Sequence, residues 1–558
     1  MATRDDEPWD WVVVGSGFGG SVAALRLVEK GYRVLLLEKG RRFGPRDFPR
    51  TNRDLRRWMW LPALGWRGPF RMAFFPHLTV VSGVGYGGGS LVYGNTLPVP
   101  GAEFFAAPSW SGLAPGAGWR EALAPFYATA RRMLGAGPNR RAGPPDAALR
   151  EVARGLGLED AYGPTDVAVF FGEAGRTVPD PYFDGAGPAR TGCTGCGGCF
   201  LGCRVGAKNT LDLNYLHLAE RRGLAVETET EVTAVRPHPD GGYRLEAVRG
   251  RVGLRRGRRR RYRARRVVLA GGVLGTVPLL LRMREDPRGL PRLSPRLGDM
   301  VRTNSEALIG VVSRRRDVDM TEGVAIGSIL HTDPHSHIEP CRYPPGSDFF
   351  RLLQAPHVPA EGGREPGLLG RLGRALAAAL RRPGDLLEVW LTPDWARRTT
   401  VLLYMRTLEG SIRLRLGRAA TTGFLRGPVT ALGDGPAPRA SIPEASDLAR
   451  RYAEQVDGVP VSLLTETGLG IPTTAHILGG CCMGATPADG VIDAEHRVHG
   501  YDGLYVLDGS AVSANPGVNP SLTITALAER AMSLVPPRDA DRAQTGPAAA
   551  RGRVPVGP

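Results

Sequence analysis

The sequence lacks any uncharged apolar segment that approaches the roughly 20 residues needed to cross a bilayer, so we expect no transmembrane helix. It also lacks a secretion signal, because the opening residues MATRDDEPWD are acidic and lead directly into an apolar strand pattern. The 7 cysteines are an odd number in a large chain, which argues against a disulfide framework. These absences predict a cytoplasmic protein and leave open a peripheral contact with a membrane.

Arginine supplies nearly all of the positive charge, and the formal net charge is +17 at pH 7. The densest run, RGRVGLRRGRRRRYRARR, covers residues 249–266. Clustered arginines neutralise phosphates, but this run has only Tyr262 as an aromatic residue and precedes a strongly apolar strand. We therefore predict no nucleic-acid partner and interpret the run as a solvated hairpin, with an anionic membrane surface as the alternative.

Residues 11–40, WVVVGSGFGGSVAALRLVEKGYRVLLLEKG, have the pattern strand, tight turn, helix, strand. Gly15, Gly17 and Gly20 form G-x-G-x-x-G directly after the first apolar run, which is typical of a dinucleotide-binding turn. Glu38 ends the second strand, where a carboxylate accepts from a ribose hydroxyl and repels a 2′-phosphate. The pattern favours FAD or NAD over NADP.

A second glycine-rich turn, VVSGVGYGGGSLVYGN, covers residues 80–95. Gly83, Gly88 and Gly89 let the backbone lie flat against a large planar ligand, and Ser90 stands at a candidate helix cap. A further buried strand pattern, VVLAGG, ends near Gly271 and is expected at the adenosine end of the cofactor. Contacts from several segments suit an extended cofactor, and FAD fits better than NAD.

A chain of 558 residues is long for one core, which favours two intertwined domains. Between residues 297 and 472 the apolar segments are short and β-rich, which predicts an antiparallel sheet. Within this region the segment LLGRLGRALAAALRR, residues 368–382, has helical periodicity with leucines 369, 372, 376 and 380 along one face. We favour packing of that face on the sheet, with a helix at a membrane surface as the alternative.

Motifs spread along the chain resemble the GMC (glucose–methanol–choline) oxidoreductases, and within that family the actinobacterial cholesterol oxidase branch. The motifs are GSGFGGS (15–21), VGYGGGSLVYGN (84–95), VPDPYFDGAGPARTGC (178–193), RVGAKNTLDLNYL (204–216), RTNSE (302–306), AHILGG (475–480) and GVNPSLTITALAER (517–530). The resemblance extends from about residue 10 to residue 535.

The resemblance implies an α/β fold with an FAD-binding Rossmann-type βαβ domain built from separated segments and a second, mostly antiparallel substrate domain. It divides the chain into 1–296, the first part of the FAD-binding domain with lid and cysteine-rich insertions, and 297–472, the substrate domain. Residues 473–535 are then the C-terminal part of the FAD-binding domain with the catalytic residues, and 536–558 a disordered tail.

The implied activity is FAD-dependent oxidation of the 3-hydroxyl group of cholesterol or a related sterol. The products are the ketone and H2O2, with O2 as acceptor, and double-bond isomerisation is a potential second step. One alternative is a dehydrogenase of another bulky lipid alcohol with a different electron acceptor. The other alternative is a lipid-binding protein that retains flavin without turnover.

By motif, His476 and Asn519 are the residues implied to lie beside the flavin ring. A neutral imidazole takes the hydroxyl proton as hydride leaves carbon, and an amide holds the forming carbonyl. The implied contacts of the non-covalently bound FAD are Gly15, Gly17, Phe18, Gly19, Gly20, Glu38, Gly83, Gly88, Gly89, Ser90, Tyr93, Asn95, Val232, Gly271, Asp508, Gly509, Asn519 and Pro520.

Two positions depart from the family pattern. Tyr93 stands where secreted cholesterol oxidases have an asparagine, and Asn95 follows two residues later. The carboxylate that shifts the steroid double bond has Glu339, in HIEPCRY, as its candidate. A buried glutamate with a raised pKa would shuttle that proton, whereas an ordinary paired glutamate is the alternative.

Cys193, Cys196, Cys199 and Cys203 have the C-x2-C-x2-C-x3-C spacing of ferredoxin cluster ligands, although Arg204 replaces the proline that follows in ferredoxins. Two interpretations remain open: a bound metal or iron–sulfur cluster, and a packed turn rich in cysteine and glycine. An iron–sulfur cluster would favour a dehydrogenase that passes electrons onward over an oxidase.

Overall fold

A computed structural model describes residues 7–253, 255–359, 367–381, 383–433 and 435–540. Its helices are α1 Phe18–Glu29, α2 Leu55–Trp58, α3 Ala102–Ala106, α4 Trp119–Leu134, α5 Pro144–Gly155, α6 Tyr215–Glu220, α7 Val273–Glu285, α8 Leu368–Arg381, α9 Pro383–Leu391, α10 Trp395–Arg398, α11 Pro443–Gln455, α12 Leu464–Leu469 and α13 Ser521–Ser533.

The strands are β1 Trp9–Val14, β2 Val34–Leu37, β3 Trp60–Leu61, β4 Trp66–Arg67, β5 Phe70–Phe74, β6 Thr79–Gly83, β7 Gly137–Pro138, β8 Tyr162–Pro164, β9 Asp166–Val167, β10 Thr177–Val178, β11 Arg190–Thr191, β12 Ala225–Glu227, β13 Thr230–Pro237, β14 Tyr243–Arg249, β15 Arg258–Leu269, β16 Ala307–Ser313, β17 Ser328–Asp333, β18 Ser336–Cys341, β19 Gln354–Pro356, β20 Thr399–Arg406, β21 Ile412–Gly417, β22 Gly427–Leu432, β23 Gly458–Leu463, β24 Thr473–Thr474 and β25 Leu504–Val506.

The first sheet has a parallel core in the order β12-β2-β1-β15, and β25 pairs with β15 on the same parallel stretch. The core strands are apolar because helices, including α1 and α7, cover the sheet, and α13 packs on α1. Val14 pairs with Leu37 of β2 and with Leu269 of β15, so the carboxyl ends of the core strands lie at one edge. The predicted βαβ unit is confirmed.

The arginine run forms an antiparallel extension of that sheet. Strand β15 begins at Arg258, pairs with β14 up to Ala264, and then enters the parallel core. Residues 258–261 are exposed, whereas residues 267–269 are fully buried. The prediction of a solvated hairpin followed by a buried strand is therefore confirmed in the described part of the run, which leaves out Leu254.

The second sheet is antiparallel, in the order β19-β23-β16-β20-β18-β17-β8. Helices α5 and α11 cover one face with an apolar cluster that includes Ile309, Leu402 and Tyr404. The opposite face, with Leu308 and Leu403, lines a large cavity. The predicted fold class, a Rossmann-type domain with a second antiparallel domain, is confirmed. Strand β8 and helix α5 lie with the second sheet, although both precede residue 297.

The leucine face of helix α8 does not pack on the sheet as the sequence pattern had suggested. Leu369, Leu376 and Leu380 are 84%, 61% and 73% exposed, whereas Arg371 is buried and its Nη1 donates to the Glu466 carbonyl oxygen of α12 at 3.2 Å. The arginine side therefore packs inward because a backbone carbonyl satisfies the guanidinium. Packing of the leucine face on the sheet was the wrong interpretation for these three residues. The Leu372 side chain, Arg382 and residues 541–558 of the predicted tail lie outside the described residues.

Candidate active site

A cavity of about 960 Å³ lies between the carboxyl edge of the parallel core and the second sheet. Most of the residues implied to contact a cofactor line it. They are Gly15, Gly17, Phe18, Gly19, Glu38, Gly83, Gly88, Gly89, Tyr93, Val232, Gly271, Asp508, Gly509, Asn519 and Pro520. The topology brings these residues together because all of the parallel core strands end at this edge.

The two glycine-rich turns pack against each other at the cavity wall. Gly88 has φ +54°, and a Cβ on it would lie 2.6 Å from the Gly17 Cα, so a side chain there is excluded. Gly17 itself has open space where a Cβ would stand, and α1 begins at the next residue. Free N–H groups of the first helical turn attract phosphate at such a place. The turn therefore fits the pyrophosphate of a dinucleotide.

Two buried carboxylates, Glu38 at the first glycine-rich turn and Asp508 at the start of α7, accept hydrogen bonds from backbone at the cavity edge. Glu38 Oε2 accepts from the Ser16 amide at 3.1 Å and from its hydroxyl at 2.7 Å, while Oε1 accepts from the Gly40 amide at 2.7 Å. Asp508 Oδ2 accepts from the Gly272 amide at 2.9 Å and from the Thr276 hydroxyl at 2.5 Å. Burial raises the pKa of Asp508, although these bonds oppose the shift. Both acids thus fix the backbone at the cavity edge.

His476 and Asn519 lie side by side in the cavity wall, although 43 residues separate them in the chain. His476 follows the short strand β24, which pairs with β6 just before the second glycine-rich turn. Asn519 stands two residues before α13. The Asn519 Nδ2 lies 3.5 Å from the His476 Nε2, and the buried Asn519 Oδ1 has no hydrogen-bond partner. An unpaired amide oxygen beside a cavity is suited to hold a ligand.

Glu306 fixes the histidine from the opposite side. Its Oε2 lies 2.6 Å from the His476 Nδ1, and its Oε1 accepts from the Ala475 amide at 2.6 Å. The carboxylate accepts a hydrogen bond from the protonated Nδ1, so Nε2 is the unprotonated nitrogen that faces the cavity. Burial lowers the pKa of His476, but the Glu306 charge and hydrogen bond, with a smaller contribution from Glu339, raise it above its ordinary value.

Asn304 anchors the loop that carries Asn519. Its Nδ2 donates to the Val518 carbonyl at 3.0 Å, and its Oδ1 accepts from the Gly517 amide at 2.9 Å. Sequence reasoning quoted RTNSE as a motif but assigned no role to Asn304 or Glu306. The only sequence signal was the polar motif itself directly before an apolar strand pattern, and it does not tell which distant residues Asn304 and Glu306 contact.

Comparisons with known proteins agree with this geometry. A model of GMC oxidoreductases matches residues 188–283, a second model of the same family matches 439–528, and an NAD(P)-binding Rossmann-like domain model matches 13–57. A cholesterol oxidase of Acinetobacter baumannii is 42% identical over 542 residues, 96% of this chain and 95% of that protein. A cholesterol oxidase of Mycobacterium tuberculosis is 45% identical over 536 residues, 95% of this chain and 91% of that protein.

The chain belongs to the GMC oxidoreductase family. The solved structure of a pyridoxine 4-oxidase from Mesorbium loti has the same fold, with a TM-score of 0.61 and 17% identity over 94% of this chain and 98% of that one. A formate oxidase structure gives a TM-score of 0.60 with 15% identity over 97% of this chain and 99% of that one. These two likenesses concern the fold alone.

Three implied cofactor contacts of this GMC oxidoreductase lie behind the cavity wall. A Cβ on Gly20 would collide with the Gly15 carbonyl oxygen, so Gly20 allows close helix–strand packing. The Ser90 hydroxyl donates to the Gly87 carbonyl at 2.7 Å. Asn95 is fully buried near the Cys199 thiol. Tyr93, by contrast, lines the cavity while its hydroxyl donates to the Asn209 carbonyl at 2.8 Å.

Glu339 is 0% exposed on the cavity side of the second sheet. It pairs with Leu403, which pairs with Leu308, and both leucines line the cavity. Neither carboxylate oxygen of Glu339 has a hydrogen-bond partner, and the nearest described base is the His337 Nε2 at 3.6 Å. Glu339 is not itself among the described lining residues. The sheet therefore places this carboxyl group on the cavity-facing side of β18, beside Leu403 and Cys341, which line the cavity.

The four clustered cysteines of this GMC oxidoreductase surround a separate cavity of about 20 Å³, together with Lys208. That is room for about one water molecule, so these residues as placed do not fit a four-iron cluster. Within the described ranges, no three His, Cys, Asp or Glu side chains form a group that would hold a metal ion. The Lys208 ammonium donates to the carbonyls of Leu91, Tyr93 and Cys199 at 2.9–3.1 Å.

The substitution Glu306→Gln is expected to lower the pKa of His476. The carboxylate charge that favours imidazolium would be lost, and burial, which disfavours imidazolium, would then dominate. The measurement is an NMR titration of the histidine rings, with the His476 signal assigned by its loss in His476→Asn. Exposed Glu285, which pairs with Arg426, provides the matched control Glu285→Gln. An unchanged pKa of His476 in Glu306→Gln would contradict the assigned role.

Proposed function

We propose that this GMC oxidoreductase binds FAD non-covalently and oxidises the 3-hydroxyl group of cholesterol or a related sterol to the ketone, with O2 as acceptor and H2O2 as product. The observation that carries the proposal is 42–45% identity, over about 95% of the chain, to two proteins named cholesterol oxidase. The proposal places the reaction in the cytoplasm, at or near a membrane that supplies the sterol.

The two ends of the cavity support this assignment. The glycine-rich turns and the start of α1 offer backbone amides to a dinucleotide. The wall on the side of the second sheet is mostly apolar: its strands contribute Leu308, Val401 and Leu403, and adjoining segments contribute Ile326 and Phe350. A steroid is a rigid apolar body with one hydroxyl group, and an apolar cavity with a few polar atoms at one point suits such a ligand.

The mechanism follows from the positions of three side chains. FAD, held by the glycine-rich turns and the start of α1, would supply the hydride acceptor. The His476 Nε2 accepts the hydroxyl proton in the same event, because Glu306 keeps the other nitrogen protonated. Glu306 also offsets the positive charge that the imidazole acquires. Asn519 orients the alcohol oxygen through the amide that faces the cavity.

Two alternatives remain within reach of experiment. One is oxidation of a different bulky lipid alcohol with another electron acceptor, which a peroxide assay separates from an oxidase. The other is a flavin-retaining lipid-binding protein without turnover. The arrangement of Glu306, His476 and Asn519 favours turnover, because a binding protein has no need for an oriented base.

Anaerobic mixing of the holoenzyme with a panel of sterols is expected to bleach the flavin. His476→Gln should slow bleaching by about 10²–10⁴-fold, because a general base contributes about that much. Asn519→Leu should slow it as well, through lost orientation. The matched control His499→Gln changes a histidine whose Nε2 bonds the Gly484 carbonyl outside the cavity lining. The proposal would be contradicted if His476→Gln bleached at the native rate, or if none of the sterols bleached the flavin of the native protein.

We also propose that Glu339 catalyses the double-bond shift after oxidation, since it is a buried carboxyl group beside the sterol wall. Its two unpartnered oxygens leave it able to take a proton from one steroid carbon and return it to another. Glu339→Gln should therefore oxidise cholesterol but accumulate the unconjugated ketone. The conjugated product is followed by its ultraviolet absorbance. A variant that isomerises at the native rate would disprove this role.

Membrane contact is proposed for the exposed leucine face of α8. Its neighbour α9 adds Trp390 and Leu391, which are also exposed. Helix α8 contacts β19 and α12, and the adjoining residues Gln354, Ser462 and Leu463 line the cavity. An apolar face on an arginine-rich protein, next to a sterol cavity, fits an anionic lipid surface. Across the described residues, no helix combines the length and apolarity needed to cross a bilayer.

The double substitution Leu376→Ser/Leu380→Ser should weaken binding to vesicles of phosphatidylcholine, phosphatidylserine and cholesterol by roughly a hundredfold or more, because each leucine contributes about 1.5–3 kcal/mol when buried in lipid. Oxidation of detergent-solubilised cholesterol should be unchanged. Leu425→Ser, at a leucine that is equally exposed elsewhere, is the control. Vesicle cosedimentation measures the effect, and equal binding of all three proteins would count against this surface.

A further inference from the structure

Gln354 places a polar side chain in the wall that the second sheet presents to the cavity. It lies on β19, pairs with Leu463 of β23, and both residues line the cavity. Gln354 is 4% exposed, and within the described part of the chain its Oε1 has no hydrogen-bond partner. A buried polar atom without a partner costs free energy, so its presence in a cavity wall points to a ligand.

Gly310 gives the Gln354 carboxamide its position in this wall. Gly310 lies on β16, two strands away from β19 in the sheet order, and also lines the cavity. A Cβ on Gly310 would lie 3.1 Å from the Gln354 Nε2, so the glutamine side chain extends across β23 into the space that the glycine leaves. The Trp390 Nε1 donates to the Gln354 carbonyl oxygen at 3.1 Å, which fixes the start of β19. The amide is thereby held over the middle of the sheet.

The side chains around this amide are apolar or already engaged. Val401 and Val461 pair with the glycine beneath the amide, and both valines line the cavity. Ser462 also lines the cavity, but its Oγ lies 2.6 Å from the His357 Nδ1. The Gln354 amide is therefore a single hydrogen-bonding group in apolar surroundings, which is the kind of group that fixes the orientation of a ligand.

This amide is well separated from the atoms that react. Glu306, which holds His476, directly precedes β16, and Gly310 follows four residues later. At about 3.3 Å per residue, that spacing corresponds to about 13 Å along the strand. A sterol that lies along the wall with its 3-hydroxyl group at His476 therefore brings the far end of its ring system, and not the reacting group, to the Gln354 amide.

We propose that Gln354 determines substrate specificity by binding a second hydroxyl group at the far end of the steroid ring system. The Oε1 accepts the hydrogen of that hydroxyl group, and the Nε2 donates to its oxygen. A hydroxyl group fits because it both donates and accepts, whereas a ketone only accepts. The preferred substrates are then 3-hydroxysteroids with a second hydroxyl group on the last ring. The inference rests on the proposed function and narrows its substrate class.

The test compares two steroids that differ by one hydroxyl group, androst-5-ene-3β,17β-diol and androst-5-en-3β-ol. Flavin bleaching of the holoenzyme without oxygen gives a limiting rate and a half-saturating concentration for each. The native enzyme should prefer the diol by about tenfold in the ratio of the two quantities, since one hydrogen bond between neutral groups contributes about that much. In Gln354→Met the preference should disappear through a higher half-saturating concentration for the diol, while the limiting rates stay close to native.

The matched control is Gln455→Met, at an exposed glutamine that ends α11 on the opposite face of the second sheet. It should keep the native preference for the diol. Equal values for the two steroids in the native enzyme, or an unchanged preference in Gln354→Met, would overturn the inference. If Gln354→Met fails to fold, the native ratio decides alone. If neither these steroids nor cholesterol bleach the native flavin, the proposed function itself is wrong.

Discussion

The contact between the Glu306 carboxylate and the His476 imidazole is the interaction on which the rest of the site depends. It joins the residue just before strand β16 of the second sheet to a loop that returns to the Rossmann-type domain, 170 residues later. The 2.6 Å distance in a buried setting fixes which ring nitrogen carries the proton. This one pair of side chains thus sets the orientation and the basicity of the His476 imidazole and links the two domains.

The surrounding structure serves to hold that pair opposite an open cavity. Asn304 binds the loop of Asn519 through two backbone bonds, and β24 aligns the His476 loop with the strand that precedes the second glycine-rich turn. The sheet supplies an apolar wall on the substrate side. Polar atoms are thereby concentrated at one point of an otherwise apolar space, which is what selective chemistry on a single hydroxyl group requires.

The parts of the fold that were predictable from sequence have local causes. The βαβ unit follows from an apolar run, three glycines at fixed spacing and a terminal acid, and the structure places Gly15, Gly17 and Glu38 at one sheet edge. The exposed start and the buried end of β15 were also predictable, because arginines give way to apolar residues along this strand. The role of Glu306 has no local signal of this kind, because it depends on a partner far away in the chain. Asn304 adopts a φ of +62°, which no periodicity reports.

For the leucine face of α8, the sequence pattern predicts the helix but not which side of it is buried. The helical period of α8 was predicted correctly, but the face that packs on the protein was not. Arg371, bonded to a carbonyl oxygen, is the buried side chain, and leucines 369, 376 and 380 are exposed. Asn95 is buried near Cys199, while its neighbours Gly94 and Thr96 line the cavity. In both cases tertiary contacts decide which of two locally acceptable arrangements the chain adopts.

The central claim is that Glu306 acts through His476, and a double-mutant cycle on kcat/KM for cholesterol tests it most directly. Glu306→Gln, His476→Gln and the double variant are compared with the native enzyme. The account predicts that Glu306→Gln alone reduces kcat/KM strongly but causes little further loss once His476 is replaced. Equal fold losses from Glu306→Gln in both backgrounds would mean that the two residues act independently, and would contradict the account.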